Sequence, residues 1–413
     1  MIYKISRSSL SEKVIKVKYL PSSKSISNRL LLLNVLSGSG VVPENVSESD
    51  DTKVMRQALD GNLEHVDVGA AGTSMRFLTA YLALTEGIHT ITGSERMKQR
   101  PITLLVEALR SLGAEIEYIE TEGYPPLRIK GGCLKSGVVE LDGSVSSQYI
   151  SALLMIAPQI DGGLTMRLVG KINSRPYIAM TLEQMSRFGA KYEWKDNQIV
   201  VSGGGYTYSP IRVESDWSAA SYWYAIAALT PGREYVLEGL EQKSLQGDSA
   251  VVQIATGLGV ETVFTSSGII IKATGKTPEN YIYDFSQQPD LAQTFVVLCC
   301  LLGVRFSFTG LESLKIKETD RITALITELR KVGYTLMTND TDTIEWNGDY
   351  REKQSTAVIS TYKDHRMAMA FAPIAFVMGD IKIDDPMVVT KSYPRYWEDF
   401  SSVADVETIE EAE

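Results

Sequence analysis

The 413-residue sequence predicts an α/β (α+β) protein of two domains, and three observations carry that expectation. Apolar stretches of helical length alternate with short β-rich stretches. One order of elements recurs along the chain. Each recurrence opens on polar or charged residues immediately before an apolar helix. A copy reads as a polar start, an apolar helix, a glycine-containing turn, a strand, a polar turn, a second helix ending in glycine, and a strand. Packing helix on sheet is the efficient way to bury both kinds of apolar face. Six starts are visible, near Ser25, Thr73, Ser146, Ser218, Asp290 and Asp364. Most are about 70 residues apart, longer than solenoid repeats. The first interval is shorter by roughly 24 residues, which predicts a missing hairpin or strand pair there.

The elements follow in order. A strand is expected from Tyr3 to Ile5, pairing with the second half of the chain. SKSISNRLLLLNVLSG opens the first copy as a polar start running into an apolar helix. The second copy gives a helix in GTSMRFLTAYLALTEG, a strand in IHTITGS, a helix in RPITLLVEALRSLGA and a strand in EIEYIE. The third repeats this as SVSSQYISALLMIAP, LTMRLVG, SRPYIAMTLEQMSRFGA and KYEW. The fourth has SDWSAASYWYAIAAL, REYVLEGL and GDSAVVQIATGLGV, and the fifth PDLAQTFVVLCCLLG, VRFSFTGL and TDRITALITELRKVG. DHRMAMAFAPIAFVMG begins the last. Ser218 and Ser74 suit N-caps. The acidic stretch VADVETIEEAE is expected to fray. Copies of this size divide three and three. We expect one domain at 22–213 and a discontinuous one at 1–21 plus 214–413.

Composition narrows the function. The net charge of -10 disfavours nonspecific nucleic-acid binding. An acidic whole still allows a locally cationic cleft. Of the three cysteines, Cys299 and Cys300 sit in an apolar run and read as small buried hydrophobes. No CxxC pair or His/Cys cluster suggests zinc. MIYKISRSSL lacks the apolar core of a signal peptide, and no segment reaches membrane-span length. A cytoplasmic location is expected.

The most informative stretch is Lys317-Glu318-Thr319-Asp320-Arg321, with four ionisable groups in five residues ahead of the periodic Ile322, Leu325, Ile326 and Leu329. Cations there could hold an anion while a carboxylate moves a proton. A solvated first turn with a Lys–Glu pair is the alternative. Free N–H groups and the dipole at helix starts also favour anions. Capping explains Ser, Thr and Asp at such starts, but not the added cations: Lys24 and Arg29, Arg76, Lys317 and Arg321, and Arg366. PSSKSISNR places Lys24 and Ser25 at a loop-to-helix junction, with Arg29 one turn in. In GAAGTSMR, Gly72 allows close backbone approach but lacks a Walker ending. RMKQRP adds Arg96, Lys98 and Arg100, which equally suit an exposed basic turn. DGSVSSQY and NSRPY offer Ser146, Ser147, Gln148, Ser174, Arg175 and Tyr177 to a polyhydroxylated, phosphorylated small molecule. Asp290 in QQPDLAQT suits an N-cap. Asp364, His365 and Arg366 precede a helix, and Lys391 follows in VTKSYPRYW.

Together the motifs SKSISNR, AGTSMR, ERMKQRP, DGSVSSQ, KETDR, DHRMAM and TKSYP resemble the enolpyruvyl transferases, and among them the 5-enolpyruvylshikimate-3-phosphate synthases. The resemblance spans nearly the whole chain, in the family's order. It implies two domains of three βαβαββ units each, with helix N-termini facing a cleft between them. It implies transfer of the enolpyruvyl group of phosphoenolpyruvate to shikimate 3-phosphate, with no metal or organic cofactor and no nucleic-acid or membrane partner. By matching motif, Lys24, Ser25, Arg29, Ser146, Ser147, Gln148, Ser174, Tyr177, Asp290 and Lys317 would hold shikimate 3-phosphate. Lys24, Gly72, Arg100, Gln148, Arg321, Arg366 and Lys391 would hold phosphoenolpyruvate. Asp290 and Glu318 would handle protons, assisted by Lys24 and Lys391. Asp320 is left to a structural pair, and a monomer is expected.

The chain departs from the family pattern in three places: Ala70 for Asn, Phe77 for Pro and Ser313 for Asn. The first two are expected to reshape the phosphoenolpyruvate pocket and the third to cost a shikimate contact. Two alternatives stay open. One is a shikimate 3-phosphate-binding homologue without catalysis. The other is a UDP-N-acetylglucosamine enolpyruvyl transferase, against which TGSERMKQRPI lacks a loop cysteine.

Overall fold

The computed structural model describes residues 1–8, 12–144, 146–351 and 357–409. The chain forms two compact units, Ser22–Val213 and the discontinuous Met1–Pro21 plus Glu214–Glu413. It begins with β1 (Ile2–Arg7) and β2 (Val14–Val17), then α1 (Lys24–Leu36) and α2 (Asp50–Asp60). β3 (His65–Asp67), α3 (Gly72–Leu84), β4 (Gly87–Thr92), α4 (Thr103–Ser111), β5 (Glu115–Tyr118) and β6 (Leu127–Gly131) follow. Then come β7 (Gly137–Asp142), α5 (Ser147–Ile156), β8 (Leu164–Val169), α6 (Arg175–Arg187), β9 (Tyr192–Lys195) and β10 (Gln198–Val201).

The discontinuous unit continues with α7 (Trp217–Leu229), β11 (Glu234–Glu238), α8 (Val251–Gly257), β12 (Val260–Phe264) and β13 (Gly268–Ala273). Next are β14 (Asn280–Asp284), α9 (Ala292–Leu302), β15 (Arg305–Thr309), α10 (Arg321–Lys331), β16 (Met337–Thr338) and β17 (Ile344–Trp346). The last group is β18 (Val358–Ile359), α11 (His365–Phe371), α12 (Ala375–Met378), β19 (Ile381–Asp384), α13 (Tyr396–Phe400) and β20 (Ala404–Ile409).

Among the described residues, five four-stranded sheets share one wiring. In β3-β4-β6-β5 the first two strands are parallel across α3, and β6 turns back antiparallel between β4 and β5. β7-β8-β10-β9 and β14-β15-β17-β16 repeat it. In the fourth repeat the opening strand is β2, parallel to β11, although 22–213 intervenes in sequence. In the sixth the closing strand is β1, which lies antiparallel between β19 and β20. Residues 1–21 thus lend one strand to each of two repeats.

Two expectations need correction. The first repeat lacks more than a hairpin: among the described residues α1 and α2 have no sheet of their own, and 37–49 forms only an isolated bridge from Glu44 to Arg212. The acidic C-terminal stretch is not frayed through Ile409, since β20 pairs along the length of β1 from Ala404 to Ile409. Residues 410–413 lie outside the described residues.

Burial explains the layers. In β8 the residues Leu164, Met166 and Leu168 face inward, alternating with Thr165, Arg167 and Val169. The first helix of each repeat lies inside its unit, α3 against α5 and α9 between α7 and α11. These helices are apolar nearly all round, so α7 buries Trp217, Tyr222, Trp223 and Tyr224 alike. Cys299 and Cys300 are buried in α9, and burial pushes both thiols up, away from reactivity. The second helices are two-faced, as in α10, which buries Ile322, Leu325 and Leu329. Helix α7 is capped by Asp216, which accepts from Ala219 N–H at 3.0 Å, rather than by Ser218. Ser218 instead donates to the Asp248 carboxylate. Among the described residues no helix is long and apolar enough to cross a membrane.

Candidate active site

In the discontinuous unit, the starts of α9, α10 and α11 and the 3-10 turn Pro386–Lys391 place four cations around three carboxylates. Arg321, the first residue of α10, is almost fully buried and bonds all three acids. Its Nε donates to Asp364 Oδ2 at 2.7 Å, Nη1 to Asp290 Oδ1 at 3.2 Å and Nη2 to Glu318 Oε2 at 2.9 Å. Lys391 donates to Glu318 Oε1 at 2.7 Å. Arg366 reaches Asp290 Oδ2 at 3.0 Å and donates to the Asp290 carbonyl at 3.0 Å. It also donates to the Tyr222 hydroxyl at 3.4 Å. Lys317 lies 3.5 Å from Asp290 Oδ1.

Local chemistry sets these positions. Asp364 caps α11 by accepting from Arg366 N–H at 2.9 Å, so one side chain starts a helix and holds Arg321. Asp320 caps α10, accepting from Ile322 N–H at 3.1 Å and Thr323 N–H at 3.2 Å. That corrects the expectation of a structural pair. A 3-10 turn at Glu312–Ile316 precedes Lys317 and carries the half-buried Ser313. Asp290 lies in another such turn, before α9, and makes no side-chain cap bond.

Burial opposes ionisation of Asp290, but the field of Arg366, Lys317 and Arg321 outweighs it and holds the carboxyl well below its usual range. Burial likewise opposes the charge on Arg321, and Asp364, Glu318 and Asp290 more than restore it. Burial pushes the Tyr222 phenol up to about 12, so it faces Arg366 as a neutral hydroxyl.

The 22–213 unit gathers the other expected residues through connected contacts. Lys24 opens α1 and pairs with the buried Asp51 at 3.0 Å. The cap of α1 is Ser23, whose Oγ accepts from Ile26 N–H at 3.4 Å, rather than Ser25. Ser74 is likewise no cap; its hydroxyl donates to the Asp51 carbonyl at 3.3 Å. Arg29 is buried and engaged: Nε donates to Thr181 at 2.7 Å, Nη2 to Ser151 at 3.3 Å and Nη1 to the Ser25 carbonyl at 2.8 Å. With hydroxyls and a carbonyl as hydrogen-bond partners, burial lowers its guanidinium to about 10, against support from Tyr177.

Ser146 caps α5 and Ser147 begins it, while Gln148 Nε2 donates to Thr73 Oγ1 at 3.0 Å. Ser174 adopts a left-handed backbone ahead of α6, and its carbonyl accepts the Tyr177 N–H at 3.0 Å. Arg175 stacks over Trp194 at 4.0 Å. The Arg100 guanidinium packs on the Gly72 backbone so closely that a Cβ there would meet Nη1 at 2.6 Å. Arg100 Nε is buried with no hydrogen-bond partner among the described residues. Lys98 instead pairs with Glu120 at 2.9 Å, as an ordinary basic turn does.

Two of the departures are now placed. Ala70 is exposed, and Phe77 is fully buried with the Arg29 guanidinium 5.2 Å over its ring. Phe77 therefore packs against Arg29, one of the residues expected to hold shikimate 3-phosphate. Asp51 and Tyr222 belong to these clusters without having been singled out, and Asp364, expected only as a helix start, joins them through Arg321. Their signals were present but ordinary: paired acids in the first turn of α2, an acid before α11, and an aromatic in an apolar helix.

The family model for EPSP synthase (3-phosphoshikimate 1-carboxyvinyltransferase) matches residues 61–400. The 3-phosphoshikimate 1-carboxyvinyltransferase of Bacteroides fragilis is 56% identical over 381 residues, covering 92% of this chain and 93% of that protein. Its namesake from Vibrio cholerae is 36% identical over 419 residues, covering 93% and 96%. Among solved structures, the EPSP synthase of Acinetobacter baumannii superposes with a TM-score of 0.77 at 21% identity, over 99% of this chain and 100% of that one. The chain belongs to the EPSP synthase (3-phosphoshikimate 1-carboxyvinyltransferase) family.

Proposed function

We propose that this chain transfers the enolpyruvyl group of phosphoenolpyruvate to the 5-hydroxyl of shikimate 3-phosphate, releasing phosphate, as a step towards aromatic amino acids. The observation that carries the reading is the Arg321 cluster, where Lys317, Arg366 and Lys391 join it around proton-handling carboxylates. Its relatives' names point to the same activity.

Phosphoenolpyruvate takes Arg321, Arg366 and Lys391 from the discontinuous unit, and Lys24, Gly72, Arg100 and Gln148 from the other. Arg forks match its carboxylate and phosphate. The unpartnered Arg100 Nε supports an anion there. Shikimate 3-phosphate takes Lys24, Ser25, Arg29, Ser146, Ser147, Gln148, Ser174 and Tyr177, with Asp290 and Lys317. Arg29 already has hydroxyl partners, so its part is to orient this set.

In the addition step the 5-hydroxyl oxygen attacks C2 of phosphoenolpyruvate and its proton passes to Asp290. The C2–C3 π electrons take a proton from Glu318, making C3 a methyl group. In the elimination step Glu318 removes a C3 proton, the double bond reforms, and the C2–O bond to phosphate breaks. The departing phosphate takes the proton held by Asp290 and the C3 proton is back on Glu318, so both carboxyls end as they began, with Lys391 holding Glu318 at 2.7 Å. Substrate anions that occupy Arg366, Lys317 and Arg321 withdraw the field that holds Asp290 ionised, so binding makes Asp290 a stronger base.

The reading is of a cytoplasmic monomer acting on small molecules without a cofactor. Incubation with both substrates is expected to release phosphate only when both are present. Folded protein that binds shikimate 3-phosphate without release would instead establish the non-catalytic alternative.

A further inference from the structure

The turn that delivers Asp364 and Arg366 to the cluster is conformationally unfavourable. Tyr362 and Lys363 link β18 to α11 with φ of 54° and 55°. A Cβ disfavours left-handed backbone. Two such residues in succession persist only where surrounding contacts over-determine them.

Those contacts come largely from α10. Glu328 is fully buried. The Tyr362 hydroxyl donates to its Oε1 at 2.6 Å, and Ser360 N–H donates to its Oε2 at 3.0 Å. Lys331 pairs with the same Oε2 at 2.7 Å and donates to the Val358 carbonyl at 3.0 Å. On β19, Asp384 accepts the Thr361 N–H at 2.8 Å. Asp364 N–H closes the turn on the Thr361 carbonyl at 2.9 Å.

Helix α10 therefore grips this junction twice. Arg321 at its start bonds Asp364, and Glu328 bonds Ser360 and Tyr362. Seven residues is two turns, so both side chains leave the same side of the helix about 10 Å apart along its axis. A surface Glu–Lys pair would need neither full burial nor the two further donors.

We infer that Glu328 is a positioning residue: it holds the left-handed turn that aims Asp364 at Arg321 and Arg366 at Asp290, and so sets phosphoenolpyruvate affinity without touching the substrate. The inference rests on the proposed assignment of Arg321 and Arg366 to phosphoenolpyruvate.

The test compares wild type, Glu328→Gln, Tyr362→Phe and the double variant. Phosphoenolpyruvate affinity is read by calorimetry in the presence of shikimate 3-phosphate, and turnover by phosphate release. Glu328→Gln is expected to weaken phosphoenolpyruvate binding about tenfold and Tyr362→Phe less, with shikimate 3-phosphate affinity and kcat changed less than about threefold. The two substitutions act on one clamp, so the double variant should lose less than the product of the single losses. Adding Lys363→Gly, which lifts the Cβ penalty, should return part of the affinity lost in Glu328→Gln. Lower thermal stability with unchanged phosphoenolpyruvate affinity overturns the inference, as does an equal loss for both substrates. If Glu328→Gln does not fold, Tyr362→Phe decides by the same criterion. A wild type that binds phosphoenolpyruvate without turnover overturns the catalytic reading and leaves the clamp to be judged by affinity. A wild type that binds no phosphoenolpyruvate overturns both.

Discussion

Arg321 shows why the charges in this cluster are more than a stability device. Assembling buried ions costs desolvation that their attraction often fails to repay. Replacing such a cluster with apolar side chains commonly leaves a fold intact. Its retention here fits a site that must exchange internal carboxylates for substrate anions. Asp290 follows the same logic in pH. Its folded pKa is depressed, so its contribution to stability is present above the unfolded carboxyl pKa and is lost only as pH falls through the lower folded value. Glu318 is the residue assigned to the carbon proton. Glu318→Gln keeps the shape of the side chain and an oxygen for Lys391, but cannot carry that proton. We expect kcat to fall about 10²–10⁴-fold. Both substrate affinities, measured by calorimetry, should stay within about threefold. A variant retaining more than a tenth of wild-type turnover would remove Glu318 from the proton-transfer role.

At the scale of elements, capping separates Glu318 and Asp320, two acids with one residue between them. Asp320 starts α10 through two backbone N–H groups and the Thr323 hydroxyl. Asp320→Ala should cost about 1 kcal/mol, read as a lower denaturation midpoint, while Asp320→Ser stays near wild type. An unchanged midpoint in Asp320→Ala would mean that the cap contributes nothing. The helix starts were legible because caps and apolar periodicity are local signals. Strand order was less so. Val14–Val17 is only four residues long, and its partner β11 lies beyond the whole 22–213 unit. Side-chain partners across the fold were the least legible. Asp51, Glu328 and Lys331 belong to no motif in the sequence, and Asp364 reads only as a helix start. Each is decided by what another repeat or another element places opposite it. Phe77 illustrates the same limit, since its motif position pointed to one substrate and its packing to Arg29.

At the scale of the molecule, the common wiring of the five sheets makes the lent strands the notable feature. In β5–β6, β9–β10, β12–β13 and β16–β17 the last two strands of a repeat form a hairpin. β20 and β1 occupy the same two places, with Ile409 opposite Ile2 and Ala404 opposite Arg7, so only a covalent link is missing. β20 and β1 therefore pair as those hairpins do, without their connecting loop. Joining residue 413 to residue 1 and opening the chain between Pro21 and Ser22 would give a circular permutant. In it each unit is one continuous segment rather than one nested within the other. Permutation at neighbouring surface ends is generally tolerated. We expect this variant to keep wild-type circular dichroism and phosphate release, and an insoluble or inactive product would show that the nesting itself is required. A βαβαββ unit written on a circle has no fixed first strand, and β1 fills the fourth strand place of the last one.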